Sequence, residues 1–118
     1  MSAGRIGLAY QGYDKLLVEF RGAIAVGTMN EPPMNPIGLE LDGEILRFLR
    51  EADADDTVRV IMLTGAGDRA FSAGGDINWM KQDLDKRTRQ HWTRVSLPLV
   101  KTMLQTVMSL RKPLITRI

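Results

Sequence analysis

Gly65-Ala-Gly-Asp-Arg-Ala-Phe-Ser-Ala-Gly-Gly-Asp76 is the stretch on which the reading of this chain turns. It is entered from an apolar run, Val58-Arg-Val-Ile-Met-Leu-Thr64, and left through Ile77-Asn-Trp-Met-Lys81, a predicted short helix. The continuous apolar residues Val60 to Leu63 predict a strand buried on both faces, like the inner strands of a layered α/β fold. Five small residues, Ala70, Ser72, Ala73, Gly74 and Gly75, separate that strand from the helix start. With no bulky side chain in the way, backbone amides there can come close to a ligand. The loop is the expected functional centre, and the rest of the chain its support.

Upstream, Leu16–Arg21 and Ala23–Met29 are two short β-type runs joined at Arg21-Gly22, which predicts a hairpin. Residues 1–14, rich in Gly and small residues, read as a flexible N-terminal segment ahead of a domain over 15–118. Asn30-Glu-Pro-Pro-Met-Asn-Pro36 excludes regular structure, because its prolines remove donors and restrict the residues before them. Asn35-Pro36 reads as a helix start, with Asn as the cap and Pro at the first helical position. Leu41, Ile45, Phe48, Leu49 and Ala52 then recur at helical spacing among Glu40, Asp42, Glu44 and Arg47. Asp53, Asp55 and Asp56 oppose the negative end of a helix dipole, which places the helix end near Asp53.

Downstream, Lys86–Arg111 reads as mostly helical, with Trp92, Val95, Leu99, Met103, Val107 and Leu110 in one apolar stripe. Val100, Leu104 and Met108 broaden that stripe, and Pro98 predicts a kink or restart near Ser96. Lys112-Pro113 closes the helix, and Leu114–Ile118 begins a further strand. The predicted order is β-β-α-β-loop-α-α-β, an α/β class.

The 118 residues make one domain's worth of chain, with 44% apolar and 25% charged residues. A net charge of +2, with scattered rather than clustered Lys and Arg, argues against a nucleic-acid partner. The chain has no cysteine, which excludes disulfides and thiolate metal ligands. No secretory h-region is evident, and no apolar run approaches the ~18 residues of a membrane span. The expected class is a soluble, cytoplasmic protein with no membrane partner. His91 lies beside Trp92 with no second histidine for a metal, so it reads as a helix-surface residue and no metal site is expected. Met62, Met103 and Met108 fall on core-type positions, and Lys81, Lys86, Arg87 and Arg89 on a solvated face.

Three readings compete for the loop. Gly65-Ala-Gly67-Asp-Arg-Ala70 fits G-x-G-x-x-A after a strand, but a dinucleotide site needs the helix to open at that loop, and Phe71–Gly75 intervenes. A Walker-type loop fails because no Gly-Lys-Ser/Thr follows. The plainest reading is a tight connection whose glycines serve only their φ angles.

The arrangement of the whole stretch resembles the crotonase (enoyl-CoA hydratase/isomerase) family. Val58-Arg-Val-Ile-Met-Leu-Thr-Gly65, then Ala70-Phe-Ser-Ala-Gly-Gly-Asp76, then Ile77 and Met80, is similar to that family's first signature. The similarity extends back to Asn30-Glu31-Pro32 and Asn35, and forward to Lys112-Pro113-Leu114-Ile115, covering about residues 15–115. It implies a crotonase-like (ClpP/crotonase) ββα spiral, truncated after roughly its second unit, acting on acyl-CoA thioesters. Such enzymes stabilise a thioester enolate with two backbone N–H donors, and fixed donors in a dry pocket act where charge develops.

By motif position, the resemblance puts the first oxyanion donor at the Ala73 N–H. It puts Ala70, Ser72, Ala73, Gly74, Gly75 and Asp76 against the substrate, with coenzyme A as part of that substrate and no other cofactor. Asp76 has a plainer role beside this, as a cap on the Ile77 helix. Trp79 and Met80 fit either an acyl pocket or the core. The family's second donor and its acid/base carboxylates lie in a later half that has no counterpart before Thr116-Arg117-Ile118. The resemblance therefore implies an acyl-CoA site with weak or no activity. The alternative is a non-catalytic acyl-CoA-binding or oligomerisation domain. A truncated spiral leaves an open strand edge and an apolar helix face, for which a homo-oligomer is the expected remedy.

Overall fold

The computed structural model describes residues 10–75 and 97–118. In chain order the elements are strands β1 (Leu16–Arg21), β2 (Ile24–Met29) and β3 (Pro36–Ile37), then helix α1 (Leu39–Ala54). Strands β4 (Val60–Gly65) and β5 (Gly74–Gly75), helix α2 (Leu97–Ser109) and strand β6 (Leu114–Arg117) follow. The expected short helix at Ile77, the kink near Ser96, and Trp79, Met80, Trp92 and His91 lie outside the described residues.

The β1–β2 hairpin is antiparallel and turns at Gly22, as the β-type runs required. Strand β2 pairs parallel with β4, and β4 parallel with β6, giving the sheet order β1-β2-β4-β6. A parallel neighbour cannot be reached by a tight turn, so α1 serves as the crossover from β2 to β4. A second, two-stranded sheet pairs β3 with β5, Pro36 opposite Gly74 and Ile37 opposite Gly75.

The core lies between α1 and the sheet. Leu41, Ile45, Phe48, Leu49 and Ala52, the helical stripe read from the sequence, are all buried. They meet Leu16, Ala25, Met29, Val58 and Ile61. Alternation along β2 puts Ala25, Gly27 and Met29 on one face. A Cβ at Gly27 would sit 2.7 Å from Phe48 Cε2, so glycine makes room there for the Phe48 ring. In β4 only Ile61 is fully buried, and Met62 and Leu63 are half-buried. The described residues thus do not provide the two covered faces that the apolar run predicted.

Helix α1 does not begin at Asn35-Pro36. Its N-cap is Gly38, which makes no side-chain cap bond, and Glu40 and Asp42 stand favourably in its first turn. Pro36 and Ile37 are extended because they pair with β5, which delays the helix by three residues. The C-terminal end comes at Ala54, beside the acidic cluster as expected. Its carbonyls are met from the far end of the chain: Lys112 Nζ donates to Ala52 O at 2.7 Å and also to Asp55 O. Asp53 Oδ1 in turn accepts the N–H groups of Arg111 (3.0 Å) and Lys112 (3.2 Å). Cation and helix end are complementary, and the exchange delivers β6 alongside β4.

Tyr10 to Asp14, read from sequence as part of a loose segment, are pinned to α1. The Tyr10 N–H donates to Glu51 and its hydroxyl to Asp55 Oδ2, both at 2.8 Å, while the Arg47 guanidinium lies 4.0 Å above the Tyr13 ring. No helix among the described residues is long and apolar enough to cross a membrane.

The Gly27–Phe48 fit makes a paired prediction. Gly27→Ala is expected to destabilise the fold by about 1–3 kcal/mol through overpacking. Adding Phe48→Leu should cost less in the Gly27→Ala background than in the native chain, as urea unfolding of all four members of the cycle would show. Additive effects would contradict the contact.

Candidate functional site

Strand β4 hands the chain to the loop at Gly65 while its ladder with β2 is still intact, since the Ala66 N–H donates to Met29 O at 2.8 Å. The loop then folds over the Asn30–Ile37 segment. Gly65 is required by close approach: a Cβ there would lie 2.2 Å from Phe71 O and 2.8 Å from Asn35 Nδ2. Gly74 is required for a different reason. The space beside it is open, but its φ of +87° is one that side-chain-bearing residues rarely adopt.

Asn35 organises this site. It is completely buried and takes φ +46°, a left-handed conformation that Asn tolerates better than most residues. Its Oδ1 accepts the Glu31 N–H at 3.0 Å, and its own N–H returns a 2.8 Å bond to Glu31 O. Its Nδ2 donates to three loop carbonyls: Ala66 O at 2.9 Å, Ala70 O at 3.1 Å and Phe71 O at 3.1 Å. Its main-chain oxygen accepts the Ser72 hydroxyl at 2.7 Å, and that same Ser72 Oγ accepts the Gly74 N–H at 3.0 Å. A primary amide offers two hydrogens and an acceptor, so the two Nδ2 hydrogens are shared among the three carbonyls, at least one of them in a three-centre bond. Lys15 fastens the base of this turn through a 2.6 Å ion pair with Glu31, which raises the lysine pKa by hydrogen bond and charge.

Five of the six residues read from sequence as the binding edge are therefore brought together. Ala70 and Ser72 are half-buried, and Ala73, Gly74 and Gly75 are exposed. Asp76 lies outside the described residues. The Ala73 N–H, expected as the first oxyanion donor, donates to Met34 O at 2.7 Å. The cause is the β3–β5 pairing, which lays Ala73 to Gly75 along Met34 to Ile37.

Beside the loop is an open cavity of about 420 Å³, walled by Gly67, Arg69, Ala70 and Phe71 and, from β6, by Arg117. Ala73, Gly74 and Gly75 are not on its wall. Asp68 is also among the residues that line it, so both signs of charge are represented around the cavity. At its far side Thr64 Oγ1 donates to Arg117 O at 3.0 Å, closing the β4–β6 pair.

Reading the residues in order assigned Asn35 to a helix cap and missed its actual role. The available signal was local: an Asn preceding Pro in a segment barred from regular structure. Its partners at 66, 70 and 71, however, are contacts that no local pattern encodes.

Known proteins resemble this chain in sequence and in fold. The family model described as Enoyl-CoA hydratase/isomerase matches residues 19–118. A carboxymethylproline synthase of Pectobacterium carotovorum is 32% identical over 96 residues, covering 80% of this chain and 37% of that protein. A short-chain-enoyl-CoA hydratase of Clostridium acetobutylicum is 34% identical over 70 residues, 58% of this chain and 27% of that one. Among solved structures, an enoyl-CoA hydratase/carnithine racemase from Magnetospirillum magneticum superimposes with a TM-score of 0.76 at 29% identity, over 91% of this chain and 39% of that one. The chain thus spans well under half the length of these relatives.

The two loop glycines should respond differently. Gly65→Ala places a methyl group against backbone and is expected to cost more than about 3 kcal/mol, the upper range for overpacking. Gly74→Ala meets open space and should cost only the left-handed strain, about 1–2 kcal/mol. Thermal denaturation of both variants checks the order, and equal losses would contradict the geometry.

Proposed function

The chain belongs to the enoyl-CoA hydratase/isomerase (crotonase) family, and on that footing we propose that the Ala70–Gly75 edge is one half of an acyl-CoA thioester site. It carries part of the family's mixed α/β fold. What supports the reading most is the loop itself: small residues, exposed at Ala73 to Gly75, on a backbone held from beneath by a buried amide. A backbone held in place suits the task, because donors fixed close to where charge develops stabilise it.

In this reading the thioester oxygen is received at Ala73, and Ala70, Ser72, Gly74 and Gly75 line the acyl-CoA, with coenzyme A entering as part of the substrate. The Ala73 N–H reaches the oxygen by sharing or exchanging its bond to Met34, as three-centre donors do. Chemistry on such a ligand is enolate stabilisation in a hydratase or isomerase reaction of fatty-acid metabolism, in the cytoplasm. One oxyanion donor is worth about 3–4 kcal/mol of barrier, and two donors plus an acid/base group are needed for efficient turnover. Among the described residues this reading assigns one donor, at Ala73, and no acid/base carboxylate. Binding with little or no turnover is the proposed behaviour of the 118 residues alone.

Self-association is a secondary reading, carried by the outer face of α2. Leu104 is 56% exposed and Met108 84% exposed, with Val100 and Val107 beside them. Apolar rows of that kind commonly mark an interface. Light scattering behind size exclusion should then show a dimer or larger, and a clean monomer would remove this reading.

Calorimetric titration with crotonyl-CoA tests the main proposal. Saturable heat at or below about millimolar ligand is expected, which corresponds to roughly 4 kcal/mol of binding. No heat from a folded sample would overturn it. Steady hydration of crotonyl-CoA by the purified chain would overturn the half-site reading.

A further inference from the structure

We infer that Asn35 is the positioning residue of the loop: by gathering carbonyl oxygens beneath it, Asn35 fixes which way the loop's amides face. The inference rests on the reading of Ala70–Gly75 as a thioester site, which it deepens.

In a trans peptide the C=O and the following N–H point in opposite directions. Asn35 Nδ2 draws the carbonyls of Ala66, Ala70 and Phe71 inward. The N–H groups of the same three peptide units, those of Gly67, Phe71 and Ser72, are thereby turned away from Asn35. Gly67 and Phe71 also stand on the wall of the neighbouring cavity. Orientation of this kind is what a bare glycine-rich loop lacks, because its peptide units can flip at little cost.

The same residue sets the far end of the loop. The Ser72 hydroxyl is fixed on Asn35 O and holds the Gly74 N–H, while Met34 O, one residue earlier, holds the Ala73 N–H. Three consecutive residues, Ser72, Ala73 and Gly74, thus take their position from the backbone on either side of Asn35. The turn that carries Asn35 is itself locked by the reciprocal Glu31–Asn35 bonds. Asn35 is fully buried, so removing the side chain takes from three carbonyls a donor that solvent does not supply in the native chain.

The test uses two variants of the whole chain. Asn35→Gly tolerates the left-handed φ and deletes every side-chain bond. Ser72→Ala leaves the Asn35 side-chain bonds in place and cuts the two made by the Ser72 hydroxyl, to Asn35 O and from the Gly74 N–H. Amide hydrogen exchange is expected to quicken by about tenfold or more across Ala66–Gly75 in Asn35→Gly, and by less in Ser72→Ala, while Ile24–Met29 of β2 stays within about twofold of the native chain. In the same samples crotonyl-CoA should bind at least about tenfold more weakly, and the infrared band of its thioester carbonyl should return toward the free-ligand position.

Unchanged loop exchange in folded Asn35→Gly would overturn the inference, as would acceleration spread equally over β2. So would native affinity and band position despite a loosened loop. A native chain that binds no crotonyl-CoA counts against the thioester reading alone, and the exchange comparison still decides the role of Asn35. Should Asn35→Gly not fold, Asn35→Asp, which keeps an acceptor for the Glu31 N–H and removes the Nδ2 donor, decides by the same readings.

Discussion

One buried side-chain amide carries the organisation of this molecule's candidate site. Asn35 accepts from one backbone N–H and donates to three backbone carbonyls from a segment more than thirty positions away. A buried backbone carbonyl without a donor costs about 1–3 kcal/mol, so the loop and the Glu31–Asn35 turn stabilise one another. The rest of the fold holds these two segments within reach. Parallel pairing of β2 and β4 sets Met29 opposite Gly65, the points from which the two segments depart. Phe48, seated on Gly27, keeps α1 against that pair of strands. The loop is thus an outgrowth of the sheet, clamped by a polar hub at the sheet's end.

Much of this was legible in the chain itself, for physical reasons that can be named. Leu16–Arg21 and Ala23–Met29, two β-type runs joined at Arg21-Gly22, read as a hairpin, and β1 and β2 pair antiparallel across that turn. The spacing of Leu41, Ile45, Phe48, Leu49 and Ala52 is helical, and all five are buried. The loop motif between Gly65 and Asp76 carried the resemblance to the family that the comparison with known proteins bears out.

What was not legible is non-local. Asn-Pro at 35–36 has the local chemistry of a helix start, and pairing with Gly74-Gly75 overrides it. The acidic end of α1 reads as a helix breaker, yet Lys112, nearly sixty residues on, supplies the positive charge that completes it. The Ala73 amide illustrates the same limit. A motif can say that an N–H occupies the position of an oxyanion donor, but only the packed backbone shows that Met34 already accepts from it. Residues 10–14 gain their order from α1 through Tyr10 and Tyr13, although their own composition suggests none.

The central claim is that the Ala70–Gly75 backbone is where an acyl-CoA thioester meets this chain. Proton–nitrogen NMR spectra of the chain labelled at Ala and Gly, recorded while acetyl-CoA is added, test it residue by residue. The account predicts saturable shifts concentrated at Ala70, Ala73, Gly74 and Gly75, with a downfield proton shift for the amide that donates to the thioester oxygen, and with Gly22, Gly43 and Ala52 unmoved. Shifts centred elsewhere, or no shifts from a folded sample, would contradict it.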